Sequence, residues 1–407
     1  MSPLTETPMF NPLEAGYMEN PYPHFAEMRD GQPVHLSMMD VWVLFDHDDV
    51  FRLLRDPTMS VMDAKIEVRD EERYAEMLEA AGGELEQDSS MLNTDPPDHT
   101  RLRRLVSKAF TPAAIQALRP RIQELVDAAL DELAAAGTGD IVKQLAFPLP
   151  FDVISEMLGM PESDKDQIAA WSGTIVKSLD PMLALDSFAE IRAASNAMNA
   201  HIDEVIRWKR ENPGDDLLTA LIAAEEGGDR LTPGELRDQV NLLFIAGHET
   251  TVNLIGTGLW EMLRHPEQRE ELSADDSLDA GAIDELLRFV SPVQISRRIT
   301  VDDIEMRGVK IPARSFVQTW LASANRDPAK FGETANELDI RRGDAGQHVS
   351  FGSGIHYCLG ASLAKLEAQA AIGRFIRRFP NAQVVGEPKW NGRMNLRGLD
   401  ELVVDVG

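Results

Sequence analysis

The ten residues Phe351-Gly352-Ser353-Gly354-Ile355-His356-Tyr357-Cys358-Leu359-Gly360 restrict what this chain can fold into more than any other segment, and they hold its single cysteine. Gly352 and Gly354 stand where a backbone can come close to a flat ligand, because glycine has no Cβ to obstruct the approach. A thiol then follows immediately before a helix. The positive end of that helix, with its free backbone N–H groups, lowers the cost of keeping a thiolate. His356 adds a donor for a nearby anion.

A lone cysteine is usually a small buried hydrophobe. The complete pattern of phenylalanine, two spaced glycines, histidine, cysteine and glycine points instead to a thiolate ligand of heme iron. One cysteine also excludes an intramolecular disulfide and a zinc site of several thiolates, which fits a reducing compartment. The net charge of -28, from 40 basic and 68 acidic side chains, argues against nucleic-acid binding. Met1 to Asn20 carries prolines and acids and no basic start with an apolar run, so a cytoplasmic protein without a signal peptide is expected. The longest apolar stretch, Asn241 to Leu263, is interrupted by His248, Glu249 and Glu261 and reads as a buried helix.

Most of the first two-thirds reads as helix, with short strand signals at Val41 to Phe45 and near Ile141. Thr232-Pro233-Gly234-Glu235 opens a long helix that keeps Leu236, Val240, Leu243, Ile255, Leu259 and Leu263 in register and stops before Pro266. Strand-like runs follow at Arg298 to Val301 and Ser315 to Thr319, and a last helix at Leu359 to Phe379. The expected architecture is mainly α with small β-sheets, one helix-rich domain over residues 1–407, with an N-terminal extension at 1–20. Residues 62–90, rich in Glu, Asp and Ala, read as a mobile insertion.

At Phe351, Gly352, Gly354, His356, Cys358 and Gly360 the chain resembles the cytochrome P450 family, in particular its soluble bacterial members. The resemblance implies a triangular helix-rich fold with a long central distal helix, heme b, and insertion of one atom of O2 into an organic substrate. Electrons would come from NAD(P)H through a ferredoxin reductase and a ferredoxin.

Within the long helix, Ala246-Gly247-His248-Glu249-Thr250-Thr251 sets a small pair beside a carboxylate and a hydroxyl. Splitting O2 to insert one atom consumes two protons, and a threonine hydroxyl backed by an acid can relay them through water. Leu243, Ala246, Gly247 and Thr250 repeat at helical spacing, so Thr250 is expected to face the oxygen, with Glu249 behind it. An isolated fragment of this kind reads equally well as a helix whose threonine bonds back to the preceding turn.

Glu285 and Arg288 lie three residues apart on one helix face and match the family's structural Glu-x-x-Arg pair. The third partner is expected to be Arg326 or Arg341, since the usual Pro-Glu-Arg-Phe-like stretch is replaced by Thr334 to Asp339. By resemblance, His99, Arg103, Arg298 and His356 hold the heme propionates. Arg101, Arg104 and Lys108, with Lys365, Arg374, Arg377 and Arg378, form the expected basic dock for an acidic ferredoxin. Leu92, Leu243, Ala246, Val293, Ile295 and Leu396 are the expected walls of an apolar substrate pocket. Two other readings compete: a peroxide-driven heme enzyme, for which Glu249 and Thr250 would be superfluous, and a heme-based sensor or carrier without catalysis.

Overall fold

The computed structural model describes residues 10–12, 14, 16–37, 41–67, 89–108, 110–161, 164–180, 183–223, 225–226 and 229–407. The chain divides into two compact units, one formed by Met1–Glu67 with Gly281–Cys358, the other by Val68–Ala280 with Leu359–Gly407. Helices dominate and the sheets are small, as expected for this fold class.

The first unit is built on a four-stranded sheet ordered Val34–Leu36, Trp42–Leu44, Phe316–Trp320, Ile295–Ile299. Trp42–Leu44 runs parallel to Phe316–Trp320, and the other pairs are antiparallel. The strand expected at Arg298 to Val301 sits earlier in the chain, because the register pairs Ile295 with Trp320 and Ile299 with Phe316, leaving Val301 outside the ladder and exposed. One side of the sheet carries a cluster of Phe10, Phe25, Phe45 and Trp320 rings. Phe10 and Tyr17, of the N-terminal segment, are buried among these rings. Of the insertion expected at 62–90, Asp63–Lys65 forms a 3-10 turn, while residues 68–88 lie outside the described residues.

The second unit is organised around the long helix Pro233–Arg264. Its start is fixed as the sequence predicts: the Thr232 side chain accepts from Glu235 N while the Glu235 side chain accepts from Thr232 N, a reciprocal capping box. Helices Pro148–Leu158, Phe188–Glu211 and Ala361–Arg378 pack around it. The strand near Ile141 is Thr138–Asp140, paired with Val403–Asp405. It ends there because Asp140 Oδ1 accepts from Val142 N and Leu402 N, both at 3.0 Å, and the chain turns into the π-helix Val142–Ala146. Among the described residues no helix is long and apolar enough to cross a membrane.

Candidate functional site

The cysteine loop closes on itself through backbone bonds. Gly352 N donates to Val349 O at 2.8 Å, Tyr357 N to Gly354 O at 3.1 Å, and Cys358 N to Phe351 O at 2.9 Å. Gly352 and Gly354 adopt φ of 66° and 70°, where a side chain is strained. At Gly354 a Cβ would also come within 2.6 Å of Leu54 O, so this position is closed to every other residue by backbone. The helix Ala361–Arg378 begins three residues after Cys358, and its N-cap Gly360 has no side chain to occupy the first N–H groups. Beside the thiol, Tyr357 has its pKa raised, first by burial and then by the charge of Cys358.

What holds this loop is a buried network starting at Glu285 and Arg288, both fully buried on helix Asp279–Val290. Arg288 uses all five N–H donors: Nε and Nη2 bind the Glu285 carboxylate at 2.6 and 2.7 Å, Nη1 binds Asn325 O and Ala335 O at 2.9 and 2.7 Å, and Nη2 binds Glu337 O at 3.0 Å. The third partner is Arg342, whose Nε lies 3.2 Å from Glu285 Oε1 and whose other nitrogens bind Phe331 O and Thr334 O. Neither expected substitute takes this place. Arg326 binds Phe289 O and stacks between the Tyr22 and Phe289 rings, and Arg341 is exposed. Asn325 passes the network onward: its Nδ2 donates to Ser291 Oγ and Ser350 Oγ, and its Oδ1 accepts from Val349 N at 2.7 Å. Val349 and Ser350 lead directly into Phe351, so the pair anchors the loop through one asparagine.

In the long helix, Phe244, His248, Glu249, Thr251 and Val252 are buried, whereas Ala246 is exposed and Thr250 half-buried. Ala246, Gly247 and Thr250 of the strip predicted from helical spacing are thus open, between buried Phe244 and buried Val252. Leu243, expected on the same strip, is buried in the apolar core cluster instead. Thr250 does bond back: its hydroxyl donates to Ala246 O at 3.1 Å, which leaves the oxygen's lone pairs as acceptors. Glu249 is not solvent-facing. Its carboxylate is ion-paired with Arg393, a partner that no motif indicated, and lies 3.9 Å from His248 Nε2. His248 packs edge-on against Phe147 and Phe151, donates through Nδ1 to Phe244 O at 2.9 Å, and has its pKa lowered by burial.

Among the described residues, no group of three or more His, Cys, Asp or Glu is arranged to hold a metal ion. A single thiolate is an adequate protein ligand only for a metal that brings its own equatorial donors, as iron in a porphyrin does. The Cys358 loop offers such a lone thiol, half-buried and part of no such metal-binding group among the described residues, so the donor set fits heme. A sequence profile of cytochrome P450 matches residues 34–276 and 278–391. The chain is a member of the cytochrome P450 family.

This P450 is 41% identical to cytochrome P450 107B1 of Saccharopolyspora erythraea, covering 99% of both chains. It is 40% identical to a vitamin D(3) 25-hydroxylase of Pseudonocardia autotrophica over 99% of its length and 98% of the relative's. In structure it is similar to the P450 PksS of Bacillus subtilis, with a TM-score of 0.87, 34% identity and coverage of 98% of this chain and 100% of that one. The protein is a heme-containing P450 monooxygenase.

The cations expected at the P450 propionates fall in both units. His99 and Arg103 share helix Asp98–Ser107, one turn apart; His99 is buried, and burial first, then Arg103, lowers its pKa. Arg298, also buried, donates to Arg297 O and Leu54 O, and His356 is half-buried in the 3-10 turn Gly354–His356. The expected ferredoxin dock is changed more. Arg374, Arg377 and Arg378 are ion-paired with Asp127, Asp279 and Asp131, and Arg101 with Glu235, so these arginines are locally neutralised. Arg104 and Lys108 stay exposed. Of the pocket residues, Leu92 is 45% exposed, whereas Ile295 and Leu396 are buried and Val293 packs on the apolar core of the first unit.

Proposed function

We propose that this P450 hydroxylates a bulky apolar substrate, with Cys358 as the iron ligand and Glu249 and Thr250 as the proton-delivery pair. The observation that carries the reading is the half-open line of Ala246 and Thr250 on a helix whose next residue, Glu249, is a buried, charge-paired carboxylate. Bound heme supplies the reductive activation of O2. The chain does the rest: the Cys358 thiolate holds the iron, and His99, Arg103, Arg298 and His356 offer donors to the propionates. Ala246 leaves space beside the helix, and the Thr250 oxygen accepts a proton donor's hydrogen bond while its own hydrogen stays on Ala246 O. Glu249 and Thr250 are adjacent in sequence and so point about 100° apart on the helix, which makes a bridging water the path between them. The name of the Pseudonocardia relative, a hydroxylase of vitamin D3, supports an apolar substrate.

The test is Thr250→Ala. Product formed per NAD(P)H should fall at least ~10-fold, with the lost electrons recovered as hydrogen peroxide and the ferrous carbonyl spectrum unchanged. Parental coupling in the variant would reject the assignment.

The electron donor in this reading is a ferredoxin, reduced by NAD(P)H through its reductase and docked beside exposed Arg104. Arg104→Glu should slow ferredoxin-supported reduction about threefold at low salt, with the difference vanishing at high ionic strength. Equal rates at low salt would remove Arg104 from the dock. Arg377→Glu is a poorer probe, since it would set two carboxylates together at Asp279.

A further inference from the structure

Glu249 has a partner brought from the far end of the chain. Arg393 lies in the loop that joins the paired strands Lys389–Trp390 and Leu399–Glu401, 144 residues beyond Glu249, and both side chains of the pair are largely buried. The loop is a built structure. Arg393 N donates to Asn391 Oδ1 at 3.1 Å, and Asn391 Nδ2 donates to Leu396 O at 2.8 Å. Leu396 O also accepts from Asn253 Nδ2 at 3.4 Å, one turn after Glu249 on the long helix. Gly398 completes the seating, since a Cβ there would overlap the Asn253 side chain.

The loop is also tied on its other side. Buried Asp180 accepts from Met394 N at 2.5 Å and Asn395 N at 3.1 Å, and Asn395 Nδ2 donates to Leu179 O at 2.9 Å. The backbone around Arg393 is thus held through Asn391 on one side and through Met394 and Asn395 on the other.

We infer that Arg393 is a positioning residue for the reaction: it fixes the Glu249 side chain in the orientation from which it exchanges protons with the water that bridges it to Thr250. The inference rests on the reading of Glu249 as the acid of the pair. Without the guanidinium, the described contacts leave Glu249 only the buried His248 ring, 3.9 Å away, and the side chain loses its fixed rotamer.

The experiment compares Glu249→Gln, Arg393→Ala, Arg393→Lys and the Glu249→Gln/Arg393→Ala double variant in the heme-loaded protein, reading product per NAD(P)H, peroxide, and thermal midpoint. Arg393→Ala should lower the product-to-peroxide ratio about tenfold, below the ~100-fold contribution of a positioned acid itself. Arg393→Lys should restore most of it, and the double variant should be no worse than Glu249→Gln in either coupling or midpoint. A Glu249→Gln enzyme with parental coupling would reject the acid assignment itself. Uncoupling by Glu249→Gln with parental coupling in Arg393→Ala, or additive losses in the double variant, would overturn the role of Arg393 alone.

Discussion

Arg288→Ala is expected to cost about 3–5 kcal/mol of folding free energy, because it leaves the fully buried Glu285 carboxylate only Arg342 and Asp339 N and takes the donor from three carbonyls at once. Domains are commonly stable by only about 5–15 kcal/mol, so the variant should shift its urea midpoint markedly and accumulate with little bound heme. Lysine will not rescue it. Arg288 spends five donors on one carboxylate and three carbonyls, those of Asn325, Ala335 and Glu337, and an ammonium has three donors on a single atom. For the same reason the double replacement Glu285→Leu/Arg288→Met should stay destabilised. Exchanging a buried ion pair for apolar residues is often neutral, but here it would orphan those three carbonyls. A parental urea midpoint in Arg288→Ala would contradict the network.

The loss should also be felt at the thiol. Asn325 accepts Arg288 through its backbone and holds Val349 and Ser350 through its side chain, just ahead of the loop that ends in Cys358. Heme content should therefore fall further in Arg288→Ala than helical content does.

How much of this was legible in the sequence differs from residue to residue, and the difference follows contact range. The cysteine loop is local: its glycines, turn and following helix lie within a few residues, so type and spacing carry the chemistry. The capping box at Thr232 and Glu235 and the pair Glu285 and Arg288 are equally local, at helical spacing. The third partner was not readable. Arg326, Arg341 and Arg342 are alike as residues, and only the turn at Asp339, whose N–H also binds Glu285 Oε1, aims Arg342 at the carboxylate.

Longer-range pairings were hidden for the same reason. Arg374, Arg377 and Arg378 form a basic run on paper, yet aspartates at 127, 279 and 131 reach them from elsewhere in the chain. Charge complementarity alone does not choose among 68 acids. Arg393 finds Glu249 because a hairpin loop is seated by Asp180 and Asn253, and no sequence period links those positions. Thr250 was readable as a hydroxyl on a small-residue strip; that its hydrogen is engaged by Ala246 O required the helix itself.

Cys358 bears the largest predicted effect of all. Its side chain is half-buried, and the loop is closed by backbone bonds such as Cys358 N to Phe351 O that an alanine would keep. Cys358→Ala should therefore fold with parental helical content. Iron would lose its one strong anionic protein ligand, and with it the electron donation on which this oxygen chemistry depends. The decisive measurement is the carbonyl spectrum of the reduced Cys358→Ala protein, reconstituted with heme. The account predicts complete loss of the band characteristic of thiolate ligation, together with loss of substrate oxidation, in a folded protein. A Cys358→Ala protein that retains that band would contradict it.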